Sequence, residues 1–413
     1  MSENANPGSV AVIERKKNAT PRRLRSIYAL HDFESRARRL LPKSIFGYVN
    51  GGVETDWSLH ENRRSFQRYS FQPRILRDVS SRSAETALYG ETLTTPIGIA
   101  PMGFCALAAF DGDVALARGA REAGSFAICS ASSLTPLERV AQEGRTRWFQ
   151  AYVPGDRNRI GNLIERVAAA GFTRLVITGD VPVSGNRENN ARNGFDAPFR
   201  MTPQLIWQGI THPRWTLGTL GREILRRGMP HFENMESVQG PPLFASNVTR
   251  SRVARDKLSW DDIAFIRENW RGKLLVKGIL HPDDALRAID CGCDGIIVSN
   301  HGGRQLDGAI SPLLALPQIR KAAPAFPLIY DSGVRRGTDI AKAYILGADF
   351  VLAGRPFLYA AATHGEEGVR HAMALLVGEL LTTMALLGVS SIAELRDLEL
   401  NACQPDDFSP LNR

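Results

Sequence analysis

Short apolar runs alternate with amphipathic segments from Thr95 onward, a pattern typical of repeated strand–helix units. Eight runs have the length and apolar content of buried parallel strands, at residues 96–101, 125–130, 147–152, 174–180, 273–277, 294–300, 326–331 and 349–354. Segments of helical period follow them, among them residues 156–169, 282–289 and 338–346. Eight strands that each precede a helix predict an α/β fold, a closed (β/α)8 TIM barrel rather than an open doubly wound sheet.

The same pattern indicates the domain limits. We expect a flexible basic tail over residues 1–26, a barrel domain with an N-terminal helical extension over 27–390, and a C-terminal extension over 391–413. The connection after strand 4 is far longer than the others, which predicts an insertion at about residues 188–257.

The insertion contains a short basic amphipathic helix. Four apolar residues share one helical face, three arginines lie off that face, and two tryptophans are close by: Leu217, Leu220, Ile224 and Leu225; Arg222, Arg226 and Arg227; Trp207 and Trp215. Packing of the apolar face on the barrel is the favoured interpretation, and contact with a membrane surface or a partner is the alternative.

The net charge of +8 invites a nucleic-acid or membrane interpretation, so its location matters. Residues 14–39 carry nine Lys/Arg and three Asp/Glu, a net of +6, and residues 188–257 carry ten and six, a net of +4. The rest of the chain therefore has a net charge of −2. Basicity confined to two appendages favours an anionic membrane surface and no nucleic acid. No apolar run reaches the length of a bilayer-spanning helix.

The five cysteines are odd in number and lie mostly in apolar runs, which is typical of reduced thiols in a cytoplasmic protein. Cys291 and Cys293 lack a second pair at ligand spacing, so we interpret them as packing residues and predict no metal site.

Polar residues end seven of the predicted strands, where packing alone has no use for them. They are Ser130, Gln150, Tyr152, Thr178, Asp180, Lys277, Ser299, His301, Asp331 and Arg355. Active sites of TIM barrels lie at the carboxyl ends of the strands, so these positions predict a functional site.

The segments after strands 7 and 8 predict a phosphate site. Residues 331–338 include Gly333 and Arg335, and residues 353–355 include Gly354 and Arg355. Glycine lets backbone N–H groups approach a phosphate, and arginine supplies a charge-assisted fork.

The end of strand 6 predicts acid–base chemistry. His301 has a side chain that titrates near neutral pH, and Arg304, three residues later, suits a substrate carboxylate. Asp180 on another strand end would orient the imidazole, and Lys277 would place a fixed positive charge in the same cavity.

Residues 299–307, Ser-Asn-His-Gly-Gly-Arg-Gln-Leu-Asp, resemble the signature of the FMN-dependent 2-hydroxy acid dehydrogenase/oxidase family. That family includes glycolate oxidase, L-lactate dehydrogenase and mandelate dehydrogenase. Residues 275–278 and 331–337 are also typical of it, and the resemblance runs from about residue 41 to residue 384. It implies FMN as cofactor and oxidation of an (S)-2-hydroxy acid to the 2-oxo acid.

The resemblance also implies roles for individual residues. His301 would be the catalytic base with Asp180 as its partner, and Arg304 would bind the substrate carboxylate. Tyr48 would assist Arg304, Tyr152 would lie near the substrate hydroxyl, and Arg187 would be a second arginine at the edge of the site. Lys277 would lie beside the flavin. The other flavin contacts implied are Pro101, Met102, Gly103, Ser130, Gln150, Thr178, Ser299, Asp331, Gly333, Arg335, Gly354 and Arg355.

Gly103, Ser132, Ser332 and residues 308–312 resemble mandelate dehydrogenases more than glycolate oxidase. A mandelate-like or lactate-like substrate is therefore expected, with electrons passed to a respiratory quinone or cytochrome. An oxygen-dependent oxidase that produces hydrogen peroxide is the alternative. The resemblance further implies a homotetramer, at the inner face of the cell membrane or free in the cytoplasm.

Overall fold

The computed structural model describes residues 21–144, 147–195, 202–243, 245 and 255–403. Eight parallel strands form its central sheet: β1 Ile97–Ile99, β2 Ile128–Ser130, β3 Trp148–Ala151, β4 Arg174–Thr178, β5 Lys273–Ile279, β6 Gly295–Val298, β7 Leu328–Asp331 and β8 Phe350–Ala353. Each strand pairs with the next along the chain from β2 to β8, and β8 pairs with β1. A bridge between Ile99 and Ala127 closes the ring, so the predicted TIM barrel is confirmed.

Helices surround the barrel and follow its strands. They are Cys105–Ala108 with Gly112–Glu122, then Leu137–Gly144, Arg157–Ala169, Trp260–Asn269, Pro282–Asp290, Pro312–Ala322, Gly337–Ile345 and Arg355–Leu387. Their starts follow local rules: the Asp156 side chain accepts from the amide of Asn158 at 2.9 Å and caps the helix after β3, and proline opens the helix after β5.

Side chains in the barrel interior form two layers, because alternate residues of a strand face the same side. The lower layer is apolar and includes Ile128, Trp148, Val176, Leu275, Ile297, Ile329 and Phe350. The residue two positions later on six of these strands is polar: Ser130, Gln150, Thr178, Lys277, Ser299 and Asp331. The upper layer at the carboxyl ends is therefore built from groups that bind rather than pack.

The N-terminal extension consists of helices Leu30–Leu40, Lys43–Asn50 and Trp57–Arg64, with 3-10 turns at Arg22–Leu24 and Ser65–Arg68. Leu24 is buried, so the packed structure includes part of the predicted tail, while residues 1–20 lie outside the described residues. A hairpin of Thr86–Leu88 and Glu91–Leu93 contributes Leu88 to the lower layer of the barrel.

The described part of the C-terminal extension, residues 391–403, packs on the domain, and residues 404–413 lie outside the described residues. Its helix Ile392–Leu395 has both end residues buried, and its strand Leu400–Ala402 pairs with Tyr69–Phe71.

The helix Arg355–Leu387 is 33 residues long and apolar enough to cross a membrane by length and composition, contrary to the sequence-based expectation. It bends at His364 and Gly365, and it packs against Gly112–Glu122 and Leu30–Leu40. Residues such as Leu376 and Leu380 are fully buried there, so this helix is part of the hydrophobic core.

The insertion after β4 includes helices Glu188–Arg192, Pro203–Thr211, Pro213–Trp215 and Arg222–Arg227, the π-helical stretch Thr216–Gly221, and a 3-10 turn at Arg255–Lys257. Its inward residues are Trp215, Thr219 and Glu223, spaced by four, and Leu220 packs beside them. The Glu223 carboxylate accepts from the Asp111 amide at 3.1 Å.

The favoured interpretation of the amphipathic face was therefore wrong for three of its four residues, since Ile224 is 38% exposed and Leu217 and Leu225 are exposed further. Leu217 is 74% exposed and Leu225 is 87% exposed, because the inward side of these turns is the one that carries Trp215 and Glu223. Trp207 and Ile210 on the preceding helix are each 64% exposed. The insertion thus presents an apolar outer surface, formed by Trp207, Ile210, Leu217 and Leu225.

Candidate active site

The polar layer at the top of the barrel is joined by two chains of hydrogen bonds. Ser130 Oγ donates to Gln150 Oε1 at 2.8 Å, and Gln150 Nε2 donates to Thr178 Oγ1 at 2.8 Å. On the opposite arc, Lys277 Nζ donates to Ser299 Oγ at 2.9 Å, and Ser299 Oγ donates to Asp331 Oδ2 at 2.7 Å. These bonds hold the side chains in one orientation, which preorganises the floor of a cleft.

Lys277 is the fixed cation of this floor. It is 4% exposed, and its Nζ lies 3.3 Å from Asp331 Oδ2. Burial lowers the pKa of Lys277, but the carboxylates of Asp331 and Asp180 outweigh burial and hold it above the ordinary value. Lys277 is therefore charged at neutral pH.

A bulge in β5 makes room for the Asp180 carboxylate. The pairing of β5 with β6 shifts register between Lys277 and Ile279, and Gly278 has a φ of +105°. A Cβ at Gly278 would lie 2.5 Å from the Asp180 Cβ, so only glycine lets Asp180 approach the top of β5.

His301 lies directly after β6 in the left-handed region, with a φ of +58°. Its amide donates to Ser299 Oγ at 3.0 Å, which ties this unusual backbone to the polar floor. Asp180 Oδ1 is 2.9 Å from His301 Nδ1, and the Tyr152 hydroxyl is 3.4 Å from His301 Nε2. Nδ1 thus faces the carboxylate, and Nε2 faces the cleft.

The electrostatics of this pair suit a base. Burial lowers the pKa of His301, and Asp180 opposes that effect without reversing it. Burial raises the pKa of Asp180, but the neighbouring His301 and Lys277 outweigh it and keep the pKa below its ordinary value. The resting pair is therefore a neutral imidazole beside an ionised carboxylate, which is ready to accept a proton at Nε2.

Arg304 faces the same cleft from the loop after β6. Its Nη1 donates to the carbonyl oxygens of Tyr48 and Gly51, both at 2.7 Å, and its guanidinium lies 4.9 Å from the centre of the Tyr48 ring. Burial lowers the pKa of Arg304 to about 9, and Arg187 contributes in the same direction. Two close arginines in a buried cleft favour an anionic ligand such as a carboxylate.

Arg335 and Gly333 line the other end of the cleft with Gly354 and Arg355. The Arg335 Nε is buried and has no hydrogen-bond partner among the described residues, and burial lowers the pKa of Arg335 to about 10. Arg355 lines this end of the cleft and donates to the carbonyl oxygens of Val49, Gly51 and Gly302.

Sixteen of the nineteen predicted site residues line this one cleft, and the other three lie immediately behind it. Those three are Ser130, Asp180 and Ser299, which hydrogen-bond to lining residues. The structure thus brings the whole predicted set together.

Residues of the insertion that sequence reasoning did not assign to the site also line the cleft. Phe232, Met235 and Arg255 form its outer wall. The Phe232 ring packs edge-on against Phe104 at 5.8 Å, and the Arg255 guanidinium lies 4.8 Å from the centre of the Tyr152 ring. No periodic pattern in the sequence marks them, because they lie on irregular segments or single turns.

The cleft thus combines a buried histidine–carboxylate pair, two close arginines and an end lined by glycines and arginines at the top of a TIM barrel. The family model for FMN-dependent dehydrogenases matches residues 37–402, and the chain belongs to that family. FMN is accordingly its cofactor, and its class is that of the 2-hydroxy acid dehydrogenases and oxidases, which act on a CH–OH group.

Two curated relatives are L-lactate dehydrogenases. The one from Pseudomonas entomophila (strain L48) is 40% identical over 376 residues, which cover 89% of this chain and 97% of the relative. The one from Stenotrophomonas maltophilia (strain R551-3) is 40% identical over 389 residues, which cover 91% of this chain and 99% of the relative.

Two solved structures are similar in fold and sequence. The monotopic membrane protein (S)-mandelate dehydrogenase has a TM-score of 0.85 and 37% identity, with coverage of 92% of this chain and 100% of that chain. Mandelate oxidase with benzoyl-formic acid has a TM-score of 0.75 and 32% identity, with coverage of 91% and 99%.

Proposed function

We propose that the protein oxidises an (S)-2-hydroxy acid, mandelate-like or lactate-like, and passes the electrons to a respiratory acceptor. The observation that carries this proposal is the convergence of His301, Asp180 and Arg304 on one cleft. These are the groups needed to take a proton from an alcohol while its carboxylate is held in place.

The cleft fits FMN at both ends. The buried Arg335 Nε and the glycines at 333 and 354 suit its phosphate, and Lys277, Gln150 and Thr178 suit the polar edge of its ring. When bound, FMN supplies an acceptor for the two electrons that leave the substrate α-carbon.

The side chains of the protein would then divide the work. Arg304, with Tyr48 and Arg187 beside it, would hold the carboxylate, and Tyr152 would bind near the hydroxyl. His301 Nε2 would take one substrate proton, the hydroxyl proton in a hydride route or the α-proton in a carbanion route. Asp180 would stabilise the imidazolium that forms, as its 2.9 Å contact with Nδ1 supports.

The outer wall of the cleft favours a bulky apolar side chain. Phe232, Met235 and Val181 line it beyond Tyr152, and Ser132 is small at a position facing Gly103. A Cβ at Gly103 would lie 2.6 Å from the Ser132 Cβ, so a larger residue at either position would crowd this part of the cleft.

The apolar outer surface of the insertion supports peripheral attachment to a membrane. Exposed Trp207, Ile210, Leu217 and Leu225 lie among the arginines of a basic segment, a combination that suits an anionic bilayer. Attachment at the inner face of the cell membrane would bring the cleft near a quinone or a membrane cytochrome. A homotetramer remains the expected assembly.

Anaerobic mixing of the purified yellow protein with candidate substrates tests the proposal. L-lactate and (S)-mandelate should bleach the flavin absorbance, and (R)-mandelate should not. Slow recovery of colour in air and fast recovery with a quinone analogue would support a dehydrogenase. Fast recovery in air with hydrogen peroxide would instead establish the oxidase alternative, and a panel that bleaches nothing would contradict the proposed substrate class.

A further inference from the structure

A second cavity, of about 530 Å³, lies where three parts of the chain meet. They are the helix Leu30–Leu40, the junction between the insertion helices Pro203–Thr211 and Pro213–Trp215, and the bend in the helix Arg355–Leu387. It shares no lining residue with the FMN cleft, and its volume is in the range of ligand pockets. We call it the basic cavity, and it is lined by Arg36, Arg39, Leu40, Thr211, His212, Pro213, Arg214, Thr363 and His364.

Among the residues that the structure describes, the lining of the basic cavity is cationic and contains no carboxylate. None of Arg36, Arg39 and Arg214 forms an ion pair with a carboxylate in the part of the chain that the structure describes. The hydrogen bonds of Arg36 and Arg39 are to neutral groups: Arg36 Nη2 donates to Ser26 Oγ at 2.8 Å, and Arg39 Nε donates to the Ser35 carbonyl at 3.3 Å. Arg36 also lowers the pKa of the Asp32 carboxyl, which lies outside the lining of the cavity. Three guanidinium groups around one cavity repel each other, and a bound anion would relieve that repulsion.

The bend in the long helix adds a polar group. His364 and Gly365 leave helical geometry, with φ values of −143° and +58°. His364 Nδ1 is buried and has no hydrogen-bond partner among the described residues, and its ring packs edge-on against Phe33 at 6.0 Å. A buried ring nitrogen in the wall of a cationic cavity can donate to an anion if it carries the proton.

The position of the basic cavity indicates the source of the anion. Its wall Thr211–Arg214 lies between Ile210 and Leu217 in the chain, which both belong to the apolar outer surface. If that surface dips into a bilayer, its immediate chain neighbours lie at the depth of the lipid phosphates.

We propose that the basic cavity binds the phosphate of an anionic phospholipid headgroup, with Arg36, Arg39 and Arg214 as its cationic ligands and His364 as a further polar contact. This inference rests on the proposed membrane attachment and adds a specific lipid site to it. Arginine suits this ligand because its planar fork binds phosphate oxygens in pairs.

The test compares a site variant with a charge-matched control in the FMN-loaded protein. The site variant is Arg39→Glu with Arg214→Glu. The control is Arg64→Glu with Arg287→Glu, two exposed arginines that do not line the cavity. If charge reversal prevents folding, Arg39→Gln with Arg214→Gln replaces the site variant, and bound flavin is checked by the visible spectrum.

Two probes are used. Calorimetry with glycerol 3-phosphate, a headgroup without acyl chains, measures binding to the cavity. Cosedimentation with phosphatidylglycerol or phosphatidylcholine vesicles measures lipid preference. The site variant should bind glycerol 3-phosphate about a hundredfold more weakly than the control and lose most of the preference for phosphatidylglycerol, since each of the two lost charge-assisted bonds contributes a factor of about ten.

The other outcomes are equally decisive. A site variant equal to the control with both probes overturns the proposal. Loss of glycerol 3-phosphate binding with unchanged lipid preference would assign the cavity to a soluble phosphate and overturn the lipid source. If the unmodified protein ignores all vesicles while the cavity still binds glycerol 3-phosphate, the membrane attachment fails and the lipid source fails with it, and substrate-dependent bleaching of the flavin is unaffected by either result.

Discussion

The strand ends of the barrel and the insertion after β4 contribute to the same cleft under different constraints. At the strand ends, the ladder and the hydrogen bonds of Gln150, Lys277 and Ser299 hold each side chain in a fixed direction. In the insertion, Phe232 and Arg255 reach the cleft from irregular chain, while Leu217 and Leu225 point to solvent. Under the proposed function, the barrel would perform the chemistry, and the insertion would select the substrate side chain and attach the protein to the membrane.

The largest expected effect is on the base. His301→Asn should retain FMN and its yellow colour, and its kcat/KM should fall about 10⁴-fold because no group remains at Nε2 to accept the proton. Steady-state assays with a dye acceptor measure the loss, and the visible spectrum checks for bound FMN. A kcat/KM within tenfold of the unmodified protein would contradict the assignment of His301 as the base.

Asp180→Asn should lower the plateau of kcat/KM about 10²-fold, because the imidazolium loses its counter-charge. The pH profile of kcat/KM adds a second test, because the direction in which its acidic limb shifts can be predicted. Activity requires neutral His301, so it rises with pH through the pKa of His301, which lies below the ordinary 6.5. Asp180 raises that pKa, so its removal should move the acidic limb to lower pH. A limb that stays in place or moves to higher pH would contradict the pairing.

Arg304→Lys should lower kcat/KM about 10²-fold, mainly through KM, since lysine cannot form the planar fork that binds a carboxylate. Comparison of an (S)-2-hydroxy acid with its methyl ester checks the assignment. The substitution should lower kcat/KM much less for the ester than for the acid. Equal losses for the two substrates would show that Arg304 acts on something other than the carboxylate.

Arg255→Met should have a smaller and more selective effect. Its guanidinium packs on the Tyr152 ring at the outer wall, so substrates with a large side chain should lose about three- to tenfold in kcat/KM. Glycolate, which does not reach the wall, should change little. An equal loss of kcat/KM for both substrates would show that Arg255 acts at the reacting centre and not on the substrate side chain.

The site could be predicted from the sequence wherever the backbone fixes the direction in which a side chain points. Polar residues two positions after buried apolar ones, such as Lys277 after Leu275, have their direction set by the strand period. His301 and Arg304 follow a strand end at short range, and their segment carries a family resemblance as well. The barrel itself was predictable for the same reason.

The remaining features depend on contacts that have no period. Phe232 and Met235 lie far from β3 in sequence and meet Tyr152 only through tertiary packing. The face of the 217–225 region was misassigned because a π-helical stretch at Thr216–Gly221 and the inward Glu223 change which side is buried. The basic cavity joins residues from three distant segments, so no local pattern indicates it.

The division of labour between barrel and insertion can be tested in one protein, in which residues 203–227 are replaced by a short Gly–Ser linker. Stopped-flow mixing with (S)-mandelate or L-lactate measures the rate at which the flavin bleaches in the membrane-free fraction. We expect a yellow protein released from membranes, with a bleaching rate within about threefold of the unmodified protein, a difference of roughly 0.6 kcal/mol. A variant that holds FMN but no longer bleaches, or one that remains on membranes, would contradict it.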